Sequence, residues 1–224
     1  MDCSDISLHP GGLELTLELA EKTGLMAGEN LLDIGCGTGC SLAALSEKYG
    51  IVPFGIDISE KTIAAARSLH PDISFACADA AHLSFDNASF DAVLMECVIT
   101  LLEKPEQALT EAARVLRPGG KLMLSALVNT VPQPGSGSRP VRGGLLRPEQ
   151  FKELAEALGF VILCEEDRKD VLIQFLAESI FEYGSLEERI HAESEQTGAC
   201  TLDCRIKYNP KTASYACFIL KKTA

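Results

Sequence analysis

Asp33-Ile34-Gly35-Cys36-Gly37-Thr38-Gly39 is the stretch on which the fold turns. Asn30-Leu31-Leu32 leads into it as an apolar run of strand length, and a helical pattern follows from about Cys40 to Tyr49. A tight strand-to-helix turn lets the backbone approach a ligand closely, and only glycine lacks the Cβ that would block the approach. A glycine turn alone is weak evidence. Here a second acid, Asp57, closes the next apolar run, Val52 to Ile56, 22 residues beyond Gly35. In an open α/β sheet that spacing sets a carboxylate beside a ribose, where its two oxygens accept both hydroxyl protons.

The same rhythm continues in both directions. Before the loop, Gly12 to Lys22 carries Leu13, Leu17 and Ala20, with Leu15 and Leu19 beside them, and reads as an amphipathic helix ending near Gly24. After it, Ser59 is placed to N-cap an Ala-rich helix. Ile73 to Ala78 reads as a third strand ending at Asp79, and Phe90 to Met95 as a fourth. Pro105 opens a helix to Leu116 that stops at Pro118-Gly119-Gly120, and Lys121 to Val128 reads as a fifth strand. Strands alternating with helices argue for a parallel sheet covered on both faces. Residues 129–147, rich in Pro, Gly, Ser and Arg, read as a loop. A helix from Pro148 to Leu158 ends at Gly159, and Phe160 to Cys164 reads as a sixth strand. Val171 to Tyr183 and the acidic Leu186 to Glu195 read as further helices, and Ser214 to Leu220 as a last strand. One domain over residues 1–224 is expected: an N-terminal segment and helix (1–28), a cofactor-binding core (29–128), the loop, and an insertion at 168–210 that forms a lid or a homodimer contact.

Composition narrows the function. With 20 Lys+Arg against 32 Asp+Glu the net charge is −12, a surface that repels phosphate backbones and anionic headgroups. Arg139, Arg142 and Arg147 are too sparse for a nucleic-acid footprint. A small-molecule substrate is expected, with neither nucleic acid nor membrane as partner. The acidic start, Met1-Asp2-Cys3-Ser4-Asp5, has no apolar region behind it, so a cytoplasmic location is expected. Nine cysteines then read as reduced thiols, with Cys36, Cys77, Cys97 and Cys164 in or beside apolar runs.

A dinucleotide loop has the spacing Gly-x-Gly-x-x-Gly, whereas here position 40 is Cys and the spacing is Gly-x-Gly-x-Gly. With Asp33 in front, this form resembles the cofactor loop of class I S-adenosylmethionine-dependent methyltransferases. Phe75-Ala76-Cys77-Ala78-Asp79-Ala80, Ser89-Phe90-Asp91-Ala92-Val93 and Arg114-Val115-Leu116-Arg117-Pro118-Gly119-Gly120 are similar to later motifs of that family, in the same order. So, more weakly, is Leu146-Arg147-Pro148-Glu149-Gln150-Phe151 through Gly159-Phe160. The resemblance implies a Rossmann-like, seven-stranded, mostly parallel sheet with helices on both faces and an antiparallel last strand. It implies that Asp33, Gly35, Gly37 and Gly39, with Cys36 among them, hold the amino-acid end of S-adenosylmethionine. Asp57 would take the ribose, Ile58 flank the adenine, and Asp79 with Ala80 read its edge. Glu96 and Cys97 would follow strand four at the reacting centre, and Asp91 would support the sheet.

Methyl transfer from a sulfonium needs positioning first, and a base only if the nucleophile arrives protonated. Glu96, beside the cofactor, and His9, in Leu8-His9-Pro10-Gly11-Gly12, are the candidate catalytic residues. Cys200 and Cys204 lie further apart than the usual Cys-x-x-Cys metal pair, and no metal site is assigned. They leave open a metalloid or thiol acceptor. An aminopropyl transferase and a non-catalytic S-adenosylmethionine-binding module remain as alternatives on the same fold.

Overall fold

The structure is a computed structural model that describes residues 9–131, 145–197 and 211–223. Leu31, Leu32 and Ile34 of β1 (Asn30–Ile34) are all buried, as in a strand covered on both faces. Around it lie β2 (Val52–Asp57), β3 (Ser74–Cys77), β4 (Phe90–Glu96), β5 (Leu116–Asn129), β6 (Phe160–Asp167) and β7 (Ala213–Lys222). They form one sheet in the order β3-β2-β1-β4-β5-β7-β6. The pairings from β3 to β5 are parallel, and β7 lies antiparallel between β5 and β6. The order of strands along the chain reverses between β1 and β4, and the crevice above such a switch point is where open α/β sheets bind ligands.

The helices are α1 (Gly12–Thr23), α2 (Cys40–Tyr49), α3 (Glu60–Leu69), α4 (Pro105–Val115), α5 (Pro148–Ala157), α6 (Lys169–Tyr183) and α7 (Leu186–Thr197). Alternate strand residues feed opposite faces. Leu32, Ile34, Val93, Met95, Leu122 and Leu124 pack with Ala108, Leu109 and Ala112 of α4 and Phe151 of α5. Leu31, Ala92, Leu94 and Met123 pack with Ala20, Leu42, Leu45 and Ile63, from α1, α2 and α3. Under β7, Tyr215, Cys217 and Ile219 meet Leu15 and Leu19 of α1 and Leu172 of α6. Ser59 caps α3 by accepting from Thr62 N at 3.2 Å, and Pro105 sits in the first turn of α4. Among the described residues no helix is long and apolar enough to cross a membrane.

Several sequence expectations need correction. The buried face of α1 is Leu15, Thr16, Leu19, Ala20 and Thr23, while Leu13 and Leu17 are only half-buried. Two of its inward positions are threonines, which a search for apolar periodicity passes over. β5 begins at Leu116, not Lys121: Leu116 pairs with Phe90, and Arg117 to Gly120 bulge against the single Asp91 before pairing resumes at Lys121 with Ala92. A Cβ on Gly120 would stand 2.9 Å from Asp91 O, so the bulge requires that glycine. Asp91 braces the same corner, accepting from Asn30 N at 2.9 Å and pairing with Arg117. β6 runs on to Asp167 because β7 continues to pair with it, through Glu166 with Cys217 and Asp167 with Ala216. Cys77 is exposed, being on the edge strand β3. Glu96 is the last residue of β4 and not part of a loop.

Candidate cofactor and reaction site

The loop from Gly35 to Gly39 joins β1 to α2, and its three glycines all have positive φ, at 80°, 54° and 84°. Its entry is fixed to β2, because Gly35 N and Cys36 N both donate to Ile56 O, at 2.8 and 2.9 Å. Gly39 is closed in, since a Cβ there would lie 2.5 Å from Phe75 Cζ. Gly37 is the opposite case. A Cβ at Gly37 would meet nothing within 4 Å, so the loop presents bare backbone to open space there. The Cys36 side chain is turned away from that space, into the core under Gly55, and its carbonyl accepts from Gly39 N. Burial, then Asp33 and Asp57, push its thiol pKa up.

Three carboxyl groups surround this loop. Asp57, ending β2, accepts from Gly37 N at 3.2 Å and from Ser59 N at 2.9 Å, one bond to each oxygen. Glu96, ending β4, has a side chain 6% exposed. It accepts from Thr16 Oγ1 at 2.7 Å and Ser41 Oγ at 2.8 Å, and His9 Nε2 stands 3.6 Å from its second oxygen. Asp33, in β1, is 3% exposed, and no described residue donates a hydrogen bond to its carboxyl. Burial, followed by the charges of Glu96 and Asp57, raises its pKa well above the usual carboxylate range.

That arrangement makes a stability prediction with a definite sign. A carboxyl whose folded pKa is raised costs nothing below its unfolded pKa, where both states hold the proton. The cost grows as pH climbs above about 4, because the unfolded chain ionises and the folded one resists. Asp33→Asn, nearly isosteric and never charged, is therefore expected to stabilise the ligand-free protein at pH 8. The gain should fade towards pH 4. Denaturant melts of both proteins across this range measure it, and a gain that grew on acidification would reverse the assignment.

The remaining expected positions lie along the neighbouring strand ends. Asp57 pairs with Cys77, and Ala78 N donates to Asp57 O at 3.0 Å, which places the end of β3 beside the end of β2. Ile58 is 55% exposed, an apolar side chain left in the open at the edge of the crevice. Asp79 accepts from Ala81 N at 2.9 Å and remains largely exposed, while the Ala80 side chain is buried. The segment after it is clamped by α4. Arg114 donates to Leu83 O and Phe85 O, and Glu111 accepts from Leu83 N.

The structure thus brings Asp33, Gly37, Asp57 and Glu96 around one loop, with Ile58 and Asp79 on the next strand ends, and joins His9 to Glu96. Thr16, Ser41 and Val98 also shape this region, and the sequence reading passed over all three. Nothing in sequence marks a threonine on a buried helix face as the partner of a carboxylate 80 residues away. Cys97, directly after Glu96, has φ 57°, a left-handed conformation that residues with a side chain rarely adopt, and donates its N–H to Ser125 O at 2.8 Å. Cys3, Arg139, Arg142, Cys200 and Cys204 lie outside the described residues.

Residues 32–124 match the family described as "Methyltransferase domain". In its sheet order and its acid-flanked glycine loop, the chain around this match is similar to class I S-adenosylmethionine-dependent methyltransferase domains. Among curated relatives, the chain is similar to "O-methyltransferase cnsE" of Penicillium expansum, 39% identical over 132 residues, covering 56% of this chain and 48% of that one. It spans about half the length of the first curated relatives it matches. Among solved structures it resembles "the [4+2]-Cyclase SpnF" at 28% identity and TM-score 0.72, covering 95% of this chain and 82% of that one. It shares the fold of Haemonchus contortus phosphoethanolamine N-methyltransferase 2, solved in complex with S-adenosyl-L-methionine. That match has 22% identity and TM-score 0.76, over 98% of this chain and 55% of the other.

Proposed function

We propose that the protein transfers the methyl group of S-adenosylmethionine to an oxygen of a small organic molecule. The observation that carries the cofactor is the three carboxyl groups around an open glycine loop. A pyrophosphate-bearing dinucleotide would be repelled there, whereas a ligand with a sulfonium and an ammonium and no phosphate is attracted. The residues present fit that ligand: buried Asp33 for the cationic amino-acid end, bare backbone at Gly37, two carboxylate oxygens at Asp57 for the ribose hydroxyls. Exposed Ile58 and the turn at Asp79 and Ala80 suit the adenine face and edge. Bound there, S-adenosylmethionine supplies a methyl group already activated on sulfur.

The chain's task is then to exclude water and to hold the acceptor in line with that methyl group. The C–S bond breaks as the C–O bond forms, and the acceptor's proton leaves to a base or to solvent. His9 is the group at the reacting centre suited to receive it. The oxygen acceptor is favoured by the name of the Penicillium relative, and the net charge of −12 favours a small molecule over a nucleic acid. A cytoplasmic setting, in which nine thiols stay reduced, belongs to the same proposal.

The likeness to a chain described as a cyclase shows that fold does not by itself fix the reaction, so the test must follow the methyl group. The purified protein is titrated with S-adenosylmethionine beside NAD, then incubated with S-adenosylmethionine and a panel of hydroxylated small molecules while S-adenosylhomocysteine is measured. Selective binding, and release of S-adenosylhomocysteine with one acceptor class, is expected. Binding without release from any acceptor would favour a binding module or a different reaction. A preference for NAD would overturn the proposal.

A further inference from the structure

Glu96 is the residue at the reacting centre that sequence alone marks as a base, yet its surroundings are those of an anchor. Its carboxylate meets three groups from three separate parts of the chain: His9 before α1, Thr16 in α1 and Ser41 in α2. Thr16 is fully buried, and the Glu96 side chain is nearly so. Each oxygen already accepts a short hydroxyl bond, His9 stands against the second, and the side chain is only 6% exposed, so little of the carboxylate is left open to an acceptor. Ser41 is the second residue of α2, the helix that begins directly after Gly39. Tying Ser41 to the end of β4 therefore fixes the far side of the cofactor loop, as Asp57 fixes the near side through Gly37 N.

The other half of the knot is α1. Thr16 joins α1 to the same carboxylate, and the turn before it is packed tightly, Gly12 N donating to His9 O at 3.2 Å. A Cβ on Gly11 would stand 2.7 Å from Leu15 Cβ and 2.9 Å from Val171 Cγ1, so this turn is wedged between α1 and α6. One carboxylate thus connects the segment entering α1, α1 itself and the helix that carries the cofactor loop.

We propose that Glu96 is a positioning residue, a latch that holds α1 and the start of α2 against the end of β4 and so sets the shape of the cofactor loop. The effect on cofactor affinity rests on the S-adenosylmethionine reading given above; the latch itself does not. Glutamine discriminates this role from its rivals. Its carbonyl oxygen accepts from Thr16, and its amide donates to Ser41, whose hydroxyl turns to accept. Glu96→Gln keeps both hydroxyl bonds, and Glu96→Ala keeps neither.

The test has two readouts on the full chain. Hydrogen exchange of the ligand-free protein should show faster exchange in α1 and the first turn of α2 for Glu96→Ala, unchanged exchange in α4 and α5, and wild-type behaviour for Glu96→Gln. Calorimetric titration with S-adenosylmethionine and with S-adenosylhomocysteine should show about a tenfold loss for both ligands in Glu96→Ala, equivalent to ~1.4 kcal/mol. In Glu96→Gln the loss should stay within about threefold for both ligands, less than 1 kcal/mol. Thr16→Val should add nothing to Glu96→Ala, because both remove the same contact. Unchanged exchange in α1 for Glu96→Ala overturns the latch, whatever the ligand. So does a glutamine variant that loses S-adenosylmethionine alone, which would make Glu96 a partner of the sulfonium charge. If wild-type protein bound neither ligand, the functional proposal would fail, and the exchange data would still decide for or against the latch.

Discussion

Gly35→Ala is expected to lower the stability of the ligand-free protein by about 2–5 kcal/mol, the sum of two separable costs. The first is conformational: Gly35 has φ 80°, and a residue with a Cβ pays about 1–2 kcal/mol in that left-handed region. The second is steric. The new methyl would stand 2.1 Å from Val98 Cγ2, with Val98 Cβ and Cγ1 both at 3.2 Å. Valine is branched at Cβ and cannot swing one methyl away without turning the other inward, so backbone must move, at about 1–3 kcal/mol. Val98 follows Cys97, whose φ is already left-handed, which leaves this corner little room to yield. For a domain of this size the melting temperature should fall by roughly 5–20 °C. Adding Val98→Ala should recover part of the steric cost and none of the conformational cost. The contrast is Gly37→Ala, where φ is also positive but nothing lies within 4 Å, so only the conformational cost applies. If Gly35→Ala and Gly37→Ala melted together, the close approach of Val98 to the loop would be wrong.

That pair also marks where sequence stops being informative. Both glycines are visible in the motif, and both were expected in the loop, but which one faces a neighbour and which faces open space depends on Val98, 63 residues away from Gly35 in the chain. The sheet was legible because its strands are short apolar runs punctuated by glycine, proline and acids, and because buried parallel strands leave no ambiguity about face. Strand ends were less so. β5 starts at Leu116 because a bulge at Arg117 to Gly120 permits pairing on both sides of a Pro-Gly-Gly that reads locally as a stop. The candidate site was legible where a residue's job is set by its own strand end, as at Asp57 and Asp79. It was not where the job is set by what packs above it. Glu96 looks like a base in one dimension and sits among hydroxyl donors in three, because Thr16 reaches it only after α1 has folded back over the sheet.

Asp57→Ala should have the largest effect on ligand affinity, because two roles end on one carboxylate. In the ligand-free protein its oxygens hold Gly37 N and Ser59 N, which keeps the loop and the start of α3 in register with the end of β2. With the ligand bound, the same oxygens are the acceptors proposed for the ribose hydroxyls. Hydrogen bonds to a charged acceptor contribute about 1.5–3 kcal/mol each, and some of that survives as water replaces the side chain. A net loss of about 2–4 kcal/mol follows, roughly 30- to 1,000-fold in the dissociation constant for S-adenosylmethionine. Asp57→Asn separates the two oxygens: its carbonyl still accepts from Ser59 N, while its amide can no longer accept from Gly37 N or from a hydroxyl. It should fall between wild type and alanine. Both variants should weaken S-adenosylhomocysteine by the same factor as S-adenosylmethionine, since the two share the ribose and differ only at sulfur. Equal loss for both ligands, with the ligand-free melting temperature lowered by no more than a few degrees, would place the effect at the ribose. Wild-type affinity in Asp57→Ala would remove the acid from the site, and with it the link from the 22-residue spacing to a nucleoside ligand.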